Sequence, residues 1–249
     1  MPWKEEKDPY KIWLSEIILQ QTRVEQGTAY YNNFIRHYPN INQLAAAPES
    51  AVFKLWEGLG YYTRCKNLIA TAKFISVELK GKFPGTYEDV LALKGVGPYT
   101  AAAIVSFAYN QPYAVVDGNV MRVLARFFAI DTAIDSNEGK KIFSTLANQL
   151  IDQKNAGLYN QAIMDFGATV CKPQQPLCAS CNTCKKLQCI QSRHRSWNIR
   201  LKKNQLPKSN AGFIISCCRI KINYLLKSAR VKISGKTCMN LFCWKQIRN

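Results

Sequence analysis

Two short motifs close together constrain this chain more than any other feature. The segment LKGVGPYT at residues 93–100 carries two glycines and a proline directly ahead of an alanine-rich stretch. Glycine accepts a positive φ and proline suits the first turn of a helix, so this segment predicts a tight hairpin that opens a helix over 98–108. The segment VVDGNV at 115–120 then sets Asp117 among apolar neighbours. A G-x-G turn alone is common to many helix–turn–helix structures, so its meaning depends on its surroundings.

The spacing of apolar residues predicts an all-α fold for most of the chain. Helical periodicity recurs up to about residue 165, and the alternation typical of strands is almost absent before residue 211. The first predicted helix is amphipathic and runs from Pro9-Tyr10 to Arg23. A cysteine loop follows to about residue 190, and a basic linker occupies 193–210. Residues 211–249 hold strand-like pieces without a coherent pattern.

The charge of the chain is unevenly distributed. The net charge is +18, yet every acidic residue lies at or before Asp165, so the first 165 residues sum to +1 and the rest to +17. Such a balance favours a polyanionic partner. The basic end is either a DNA-binding tail or a segment that encodes no selected structure. Because no apolar run could span a bilayer and no apolar signal segment opens the chain, we expect a cytoplasmic, nucleoid-associated protein without a membrane partner.

Half of the ten cysteines lie between residues 171 and 189. In a chain without an export signal, this density argues against a disulfide framework. The C-x6-C-x2-C spacing of Cys171, Cys178 and Cys181 is typical of iron–sulfur ligation rather than of a zinc C-x2-C pair. Zinc binding and free core cysteines are the alternatives. The fourth ligand is either Cys184 or Cys189.

Two carboxyl groups have apolar neighbours near these motifs. Asp117 follows the hairpin helix, and Glu16 lies in the apolar first helix. Cleavage of an N-glycosidic bond needs an acid that protonates the leaving base and a negative charge that stabilises the developing sugar cation. Two carboxyl groups in different environments suit that chemistry. The plainer alternatives are a helix N-cap for Asp117, which is compatible with the first role, and an exposed helix position for Glu16.

Taken together, these motifs give the chain a resemblance to a known family. It resembles the endonuclease III superfamily of helix-hairpin-helix DNA glycosylases and, within it, the MutY-type adenine DNA glycosylases. The resemblance covers about residues 2–192. It is carried by PWKEEKDPYKIWLSEIILQQTRV, LWEGLGYYTRCKNL, FPGTYEDVLALKGVGPYTAAAI, AVVDGNVMRVLAR, YNQAIMDFGATVC and the cysteine loop. It implies a six-helix lobe at 10–113 with the helix-hairpin-helix, and a helical iron–sulfur cluster lobe made of 1–9 and 114–192.

The resemblance implies hydrolysis of the bond between adenine and its sugar, where adenine is mispaired with 8-oxoguanine or guanine in double-stranded DNA. Glu16 matches the acid that protonates the flipped adenine, and Asp117 matches the carboxylate that stabilises the sugar cation. Asn119 matches a residue that helps to position the nucleophile. Relatives that also cut the strand carry a lysine where this chain has Tyr99, which would instead line the adenine pocket. The chain is therefore expected to be monofunctional, and to act as a monomer.

The resemblance also assigns residues that bind DNA and the cluster. The expected DNA contacts are Gln20, Gln21, Thr22, Leu59, Tyr61, Gly95 and Gly97. Among them Tyr61 would wedge into the base stack, with ordinary core packing as the alternative. A structural 4Fe–4S cluster would be held by Cys171, Cys178, Cys181 and Cys189, the last after a two-residue insertion in the usual spacing.

Compared with the family pattern, the chain is expected to be truncated at both ends. We expect it to lack the helix that usually precedes the Pro-Trp motif and the C-terminal Nudix-like domain that recognises 8-oxoguanine. Residues 211–249 are expected to be a remnant or a frameshifted start of that domain. Two other functions stay open at this point: an endonuclease III-like pyrimidine glycosylase and lyase, and an inactive DNA-binding remnant.

Overall fold

The computed structural model describes residues 5–178 and Cys181. Within this part, the chain forms α-helices and no strand, which confirms the all-α prediction. The helices are α1 (Pro9–Leu19), α2 (Val24–His37), α3 (Ile41–Ala46), α4 (Glu49–Trp56), α5 (Tyr62–Val77), α6 (Tyr87–Leu91), α7 (Pro98–Tyr109), α8 (Gly118–Phe128), α9 (Asn137–Leu150) and α10 (Ala156–Thr169). None of these helices is both long and apolar enough to cross a bilayer. The predicted linker at 193–210 and the segment 211–249 lie outside the described residues.

The chain divides into two compact units. Among the described residues, the first unit comprises 5–115 with 153–158, and the second comprises 116–152 with 159–178 and Cys181. Helices α1 to α7 lie in the first unit, whereas α8, α9 and most of α10 lie in the second. The lobe boundaries that the resemblance implies stay a prediction.

Helix α1 is the central helix of the first unit. It begins where Asp8 Oδ1 accepts a hydrogen bond from the Tyr10 amide at 3.0 Å, with Pro9 in the first turn. The predicted extension to Arg23 is wrong, because the backbone leaves the helical region at Gln20 and Gln21 has a φ of +57°. The predicted amphipathic character is also wrong, since buried side chains lie on every side of the helix. They are Tyr10, Ile12, Trp13, Leu14, Ser15, Ile17 and Ile18.

Large aromatic side chains fill the core of the first unit. Helix α1 packs against α2 and α7, α5 packs against α3 and α4, and α6 packs against α7. Phe34 meets the fully buried Trp56 edge to face with ring centroids 5.9 Å apart, and Trp13 lies at the same distance from Phe83. Aromatic burial of this kind dominates the stabilisation of a core. The backbone that carries Glu16 is therefore enclosed by packed helices.

In the second unit, helix α8 packs against α9, and the start of α9 is fixed by a close backbone approach. The Ser136 hydroxyl donates a hydrogen bond to the Ala133 carbonyl at 2.7 Å and accepts one from the Gly139 amide at 2.9 Å. A Cβ atom added at Gly139 would lie 2.0 Å from the Ala133 carbonyl oxygen. This position requires glycine because of the space available and not because of its φ.

We expect Gly139→Ala to lower the free energy of unfolding by about 1–3 kcal/mol, because the added methyl group must displace the backbone at Ala133. Urea denaturation measures the change. Gly118→Ala is the matched control, since Gly118 also opens a helix of the second unit and an added Cβ there meets no atom within 4 Å. Its free energy of unfolding should be unchanged or slightly higher. Equal losses in the two variants would contradict the packing described for α9.

Candidate active site and nucleic-acid interface

Helices α6 and α7 and the segment between them form the predicted helix-hairpin-helix. Gly95 has a φ of +81°, and a Cβ atom added there would lie 2.9 Å from Cβ of Asn67, so both conformation and space require glycine. Gly97 differs, because its backbone is extended with a φ of −100° and an added Cβ would meet nothing within 4 Å. Of the two glycines, only Gly95 therefore uses a positive φ, while Gly97 leaves the start of α7 free of a side chain.

The hairpin is anchored to the first unit from behind. The Thr71 hydroxyl donates a hydrogen bond to the Lys94 carbonyl at 3.0 Å, and the side chains of Leu93 and Val96 are buried in the core. Pro98 opens α7, which extends one residue beyond the predicted range. The first amides of a helix lack partners within the helix and suit a phosphate group. This is the geometry that the predicted contact with the DNA backbone needs.

Two further loops of the first unit carry the other predicted DNA contacts. Gln21 in the 20–22 loop and Tyr61 in the 59–61 loop both have left-handed backbone, with φ of +57° and +49°. The side chain of Tyr61 is 63% exposed, which excludes core packing as its role. Leu59, in contrast, is 7% exposed and belongs to the core. Left-handed non-glycine residues are uncommon and cluster at functional sites.

Asp117 is the N-cap of α8. Its Oδ1 accepts a hydrogen bond from the Val120 amide, and its Oδ2 accepts one from Asn119 Nδ2, both at 2.7 Å. The side chain is partly buried. The N-cap interpretation is thus confirmed, and one carboxylate oxygen is fixed by the helix while the other is fixed by Asn119.

The other two predicted catalytic residues lie in the first unit. Glu16 is partly buried in α1 between Ser15 and Ile17, which are both buried. Its surroundings therefore differ from those of the fully exposed helix glutamate that was the plainer alternative. Tyr99, in the first turn of α7, is also partly buried.

A buried arginine, Arg122, connects Asn119 to the start of the cysteine loop. Its Nη2 donates to Asn119 Oδ1 and to the Gly167 carbonyl, and its Nε donates to the Cys171 carbonyl, each at 2.7 Å. The side chain is 2% exposed. A Cβ atom added at Gly167 would lie 2.7 Å from Cβ of Asn119, so glycine in α10 permits this close approach. The guanidinium group of Arg122 thus donates both to Asn119, which orients Asp117, and to Cys171, the first cysteine of the cysteine loop.

A second buried arginine, Arg126, holds the segment that follows α10. Its Nη1 donates to the Lys172 carbonyl at 2.8 Å and lies 3.4 Å from Sγ of Cys171, and its Nη2 donates to the Pro173 carbonyl at 3.2 Å. Burial raises the pKa of the Cys171 thiol above its ordinary value, while the hydrogen bond from Arg126 and the charges of both arginines oppose that rise. The sulfur therefore has cationic neighbours that favour its thiolate form.

The described part of the cysteine loop contains Cys171, Cys178 and Cys181, all as free thiols. Across residues 5–178 and Cys181, no three side chains of the metal-binding types are grouped closely enough to hold an ion. Cys184 and Cys189 lie outside the described residues, so the choice of fourth ligand stays a prediction. The donor chemistry fits an iron–sulfur cluster, because three free thiols are available and Arg126 donates to the first of them.

The sequence analysis missed the arginines that organise the site. Arg122 and Arg126 stand four residues apart in VMRVLARFF, a helix that is otherwise almost wholly apolar, and this pattern is the signal that they are buried. Arg64 lies in LWEGLGYYTRCKNL, one of the segments that carry the family resemblance. Arginine is mostly exposed in proteins, so sequence reasoning treats it as solvated by default.

We expect Arg122→Met to lower the free energy of unfolding by at least about 2 kcal/mol, because the carbonyls of Gly167 and Cys171 and the amide of Asn119 all lose a charged donor. Chemical denaturation measures the change. Lys140→Met is the control within the same unit, since it removes an exposed cation from α9 and should change stability by less than about 0.5 kcal/mol. An Arg122 variant as stable as the Lys140 variant would rule out the network.

Known proteins share both the sequence and the fold. Residues 14–149 match the family described as HhH-GPD superfamily base excision DNA repair protein. The chain is 35% identical over 252 residues to the adenine DNA glycosylase of Buchnera aphidicola subsp. Baizongia pistaciae (strain Bp), covering 99% of this chain and 69% of the relative. That coverage extends into residues 211–249, whose origin stays a prediction.

A mammalian adenine DNA glycosylase is similar in sequence, and a solved DNA glycosylase structure is similar in fold. The adenine DNA glycosylase of Mus musculus is 42% identical over 203 residues, covering 77% of this chain and 39% of the relative. The structure of a thermostable thymine-DNA glycosylase superposes with a TM-score of 0.70 at 29% identity, covering 77% of this chain and 88% of that one. The chain therefore belongs to the HhH-GPD superfamily of base excision DNA repair proteins and, within it, to the adenine DNA glycosylases.

Proposed function

We propose that this chain is a monofunctional glycosylase that removes adenine paired with 8-oxoguanine or guanine in double-stranded DNA. The observation that carries the proposal is the fixed carboxylate of Asp117, held at both oxygens by Val120 and Asn119, in a relative of adenine DNA glycosylases. A preorganised negative charge stabilises the sugar cation that develops as the bond to the base breaks. We further propose that the protein acts as a monomer at the bacterial nucleoid.

The proposed reaction uses one carboxyl group as an acid and the other as a fixed charge. Glu16 donates a proton to adenine as the bond between the base and C1′ breaks, and the electron pair of that bond leaves with adenine. The Asp117 carboxylate stabilises the cationic sugar. Water then adds to C1′ and gives a proton to the Glu16 carboxylate, directly or through solvent, which restores the acid and leaves an abasic site on an uncut strand. Asn119 contributes by donating to Asp117 while its own carbonyl oxygen accepts from Arg122.

The DNA contacts are proposed to divide between the hairpin and the two loops. Gly95 and Gly97 would allow the backbone of the target strand to approach the hairpin, and residues 20–22 would contact the base opposite adenine. Tyr61 would lie at the gap that the flipped adenine leaves, where an aromatic ring stabilises the open stack, and the buried Leu59 would hold the loop that carries it. The 63% exposure of the Tyr61 side chain supports this role.

We propose that Cys171, Cys178, Cys181 and Cys189 hold a 4Fe–4S cluster. When bound, the cluster would supply cross-links that fix the loop, and it would take no part in removing the base. Two arginines hold the first of these cysteines. Arg122 donates to the Cys171 carbonyl, and Arg126 donates to the Cys171 sulfur.

Substitution of the two carboxyl groups tests the proposed chemistry. We expect Asp117→Asn to slow single-turnover adenine release by about 10²–10³-fold, because the charge that stabilises the cation is lost. We expect Glu16→Gln to slow it by about 10²–10⁴-fold, because the acid is lost. The substrate is a duplex with adenine opposite 8-oxoguanine, and the released base is quantified by chromatography.

Asparagine separates the catalytic role of position 117 from its role as a cap. Asn is as good an N-cap as Asp, but its amide has one acceptor oxygen, so Asp117→Asn should keep the bond from Val120, lose the bond from Asn119 and lower the free energy of unfolding by about 1 kcal/mol. A folded variant that keeps its rate of adenine release would remove Asp117 from the chemistry.

Tyr99 predicts the absence of strand cleavage. A lyase reaction needs an amine that forms a Schiff base with the opened sugar, and tyrosine cannot supply one. We expect borohydride to trap no covalent complex between the chain and its substrate duplex during adenine release, whereas a lyase relative run in parallel should be trapped. A trapped complex that forms at the rate of adenine release would favour the endonuclease III-like alternative.

A further inference from the structure

Arg64 closes the end of the helix that carries Glu16. It lies in the first turn of α5, and its Nη1 donates to the carbonyls of Ile17 and Ile18 at 3.1 Å each and to the carbonyl of Gln20. The last carbonyls of a helix have no partners within the helix, so these bonds complete the C-terminus of α1. The same nitrogen lies 3.5 Å from the Thr22 hydroxyl oxygen. Arg64 thus contacts both ends of the 20–22 loop.

The other side of the same guanidinium group contacts the 59–61 loop. Its Nη2 donates to the Leu59 carbonyl at 3.3 Å, and its central carbon lies 5.4 Å from the ring centroid of Tyr61. The Trp56 ring, at 5.3 Å, provides a second aromatic neighbour. The Arg64 amide also donates to the Tyr61 carbonyl at 2.8 Å. A cation near an aromatic face is attracted by the π-electrons of the ring, so the contact restricts where Tyr61 points.

The two loops share a strained backbone that needs such support. Gln21 and Tyr61 are left-handed although neither is glycine, and each such residue costs on the order of 1–2 kcal/mol. Arg64 contacts Gln20 and Thr22, which flank Gln21, and it donates to the carbonyls of Leu59 and of Tyr61 itself. A planar guanidinium group with several donors can satisfy both loops at once, whereas the single point charge of lysine cannot.

We propose that Arg64 is a positioning residue that holds the 20–22 and 59–61 loops in one preformed arrangement for the base opposite adenine. The inference rests on the proposed function, because it assigns those loops to the opposite base and to the gap in the stack. Because Nη1 donates to the carbonyls of residues 17, 18 and 20 and Nη2 donates to that of Leu59, we assign Arg64 a role that acts through Tyr61 and the 20–22 loop. When the loops are already ordered in the free protein, less conformational entropy is lost as they bind DNA from which adenine has flipped out.

Two duplexes distinguish positioning from general structural support. The first has adenine opposite 8-oxoguanine, and the second has adenine opposite an abasic analogue, where no opposite base has to be contacted or kept in its stack. The variants are Arg64→Met, Arg64→Lys, Tyr61→Ala and the double variant Arg64→Met/Tyr61→Ala. Arg36→Met is the matched control, because it removes an exposed arginine from α2 of the same unit. Single-turnover adenine release is measured for each pair.

We expect Arg64→Met to slow release from the 8-oxoguanine duplex by about tenfold or more while slowing release from the abasic duplex far less, since a small misplacement of contacting groups is costly only where they are used. Arg64→Lys should behave more like Arg64→Met than like the parent chain. The double variant should be slowed by clearly less than the product of the two single effects, because Arg64 acts partly through Tyr61 and coupled residues are non-additive. Arg36→Met should leave the ratio between the duplexes unchanged.

Equal slowing on the two duplexes, or full activity in Arg64→Lys, would overturn the proposal. Hydrogen–deuterium exchange of the free protein tests the role of Arg64 without DNA. It therefore distinguishes failure of the Arg64 proposal from failure of the proposed function. If the parent chain releases no adenine from either duplex, the proposed function fails, and exchange alone decides the role of Arg64. Faster exchange in Arg64→Met confined to residues 18–24 and 59–64 supports positioning of the loops, whereas unchanged exchange there contradicts it.

Discussion

In each unit, the candidate site residues depend on a guanidinium group that donates hydrogen bonds to backbone carbonyls. Arg64 donates to the last carbonyls of α1 and to the Leu59 carbonyl, and Arg122 donates to the carbonyls of Gly167 and Cys171. These carbonyls belong to helix ends and loops, where regular structure supplies no donor. A guanidinium group presents five donors in a fixed plane, so a single side chain joins segments that are distant in sequence. Each arginine also contacts a proposed site residue in its own unit. Arg64 lies near the ring of Tyr61, and Arg122 donates a hydrogen bond to Asn119.

The proposed catalytic carboxyl groups lie in or at the start of helices, whereas the proposed contacts to the opposite base lie in loops. Glu16 and Asp117 belong to helices, one inside α1 and the other at the cap of α8, where hydrogen bonds and packing define the backbone. The proposed contacts to the opposite base lie instead in loops with left-handed residues. A helical backbone fixes the position of each proposed catalytic group within its own unit, whereas an exposed loop can reach a ligand. The added support that Arg64 gives the loops offsets their strain.

The sequence predicted the elements whose signals are local. The all-α class, the hairpin at Gly95 and the helix that starts at Pro98 were all predicted, because glycine and proline act on their own backbone. The end of α1 was not, since glutamine is a good helix former, and what ends the helix is the left-handed backbone of Gln21 together with Arg64, which donates to the last carbonyls from a distant part of the sequence. The burial of Arg122 was also missed, because its partners at Gly167 and Cys171 lie more than forty residues away in the sequence. The roles of the site residues stay predictions that need DNA in the experiment.

The most direct test of the central claim is to identify the base that the intact chain releases from DNA. Four duplexes suffice, with adenine opposite 8-oxoguanine, guanine or thymine, and with thymine opposite guanine, and mass spectrometry identifies each product. The proposed function predicts free adenine from the 8-oxoguanine and guanine duplexes, adenine still bound to its sugar in the duplex with thymine, and an uncut strand. Release of thymine, or release of adenine opposite thymine at the same rate as from the mispairs, would contradict it.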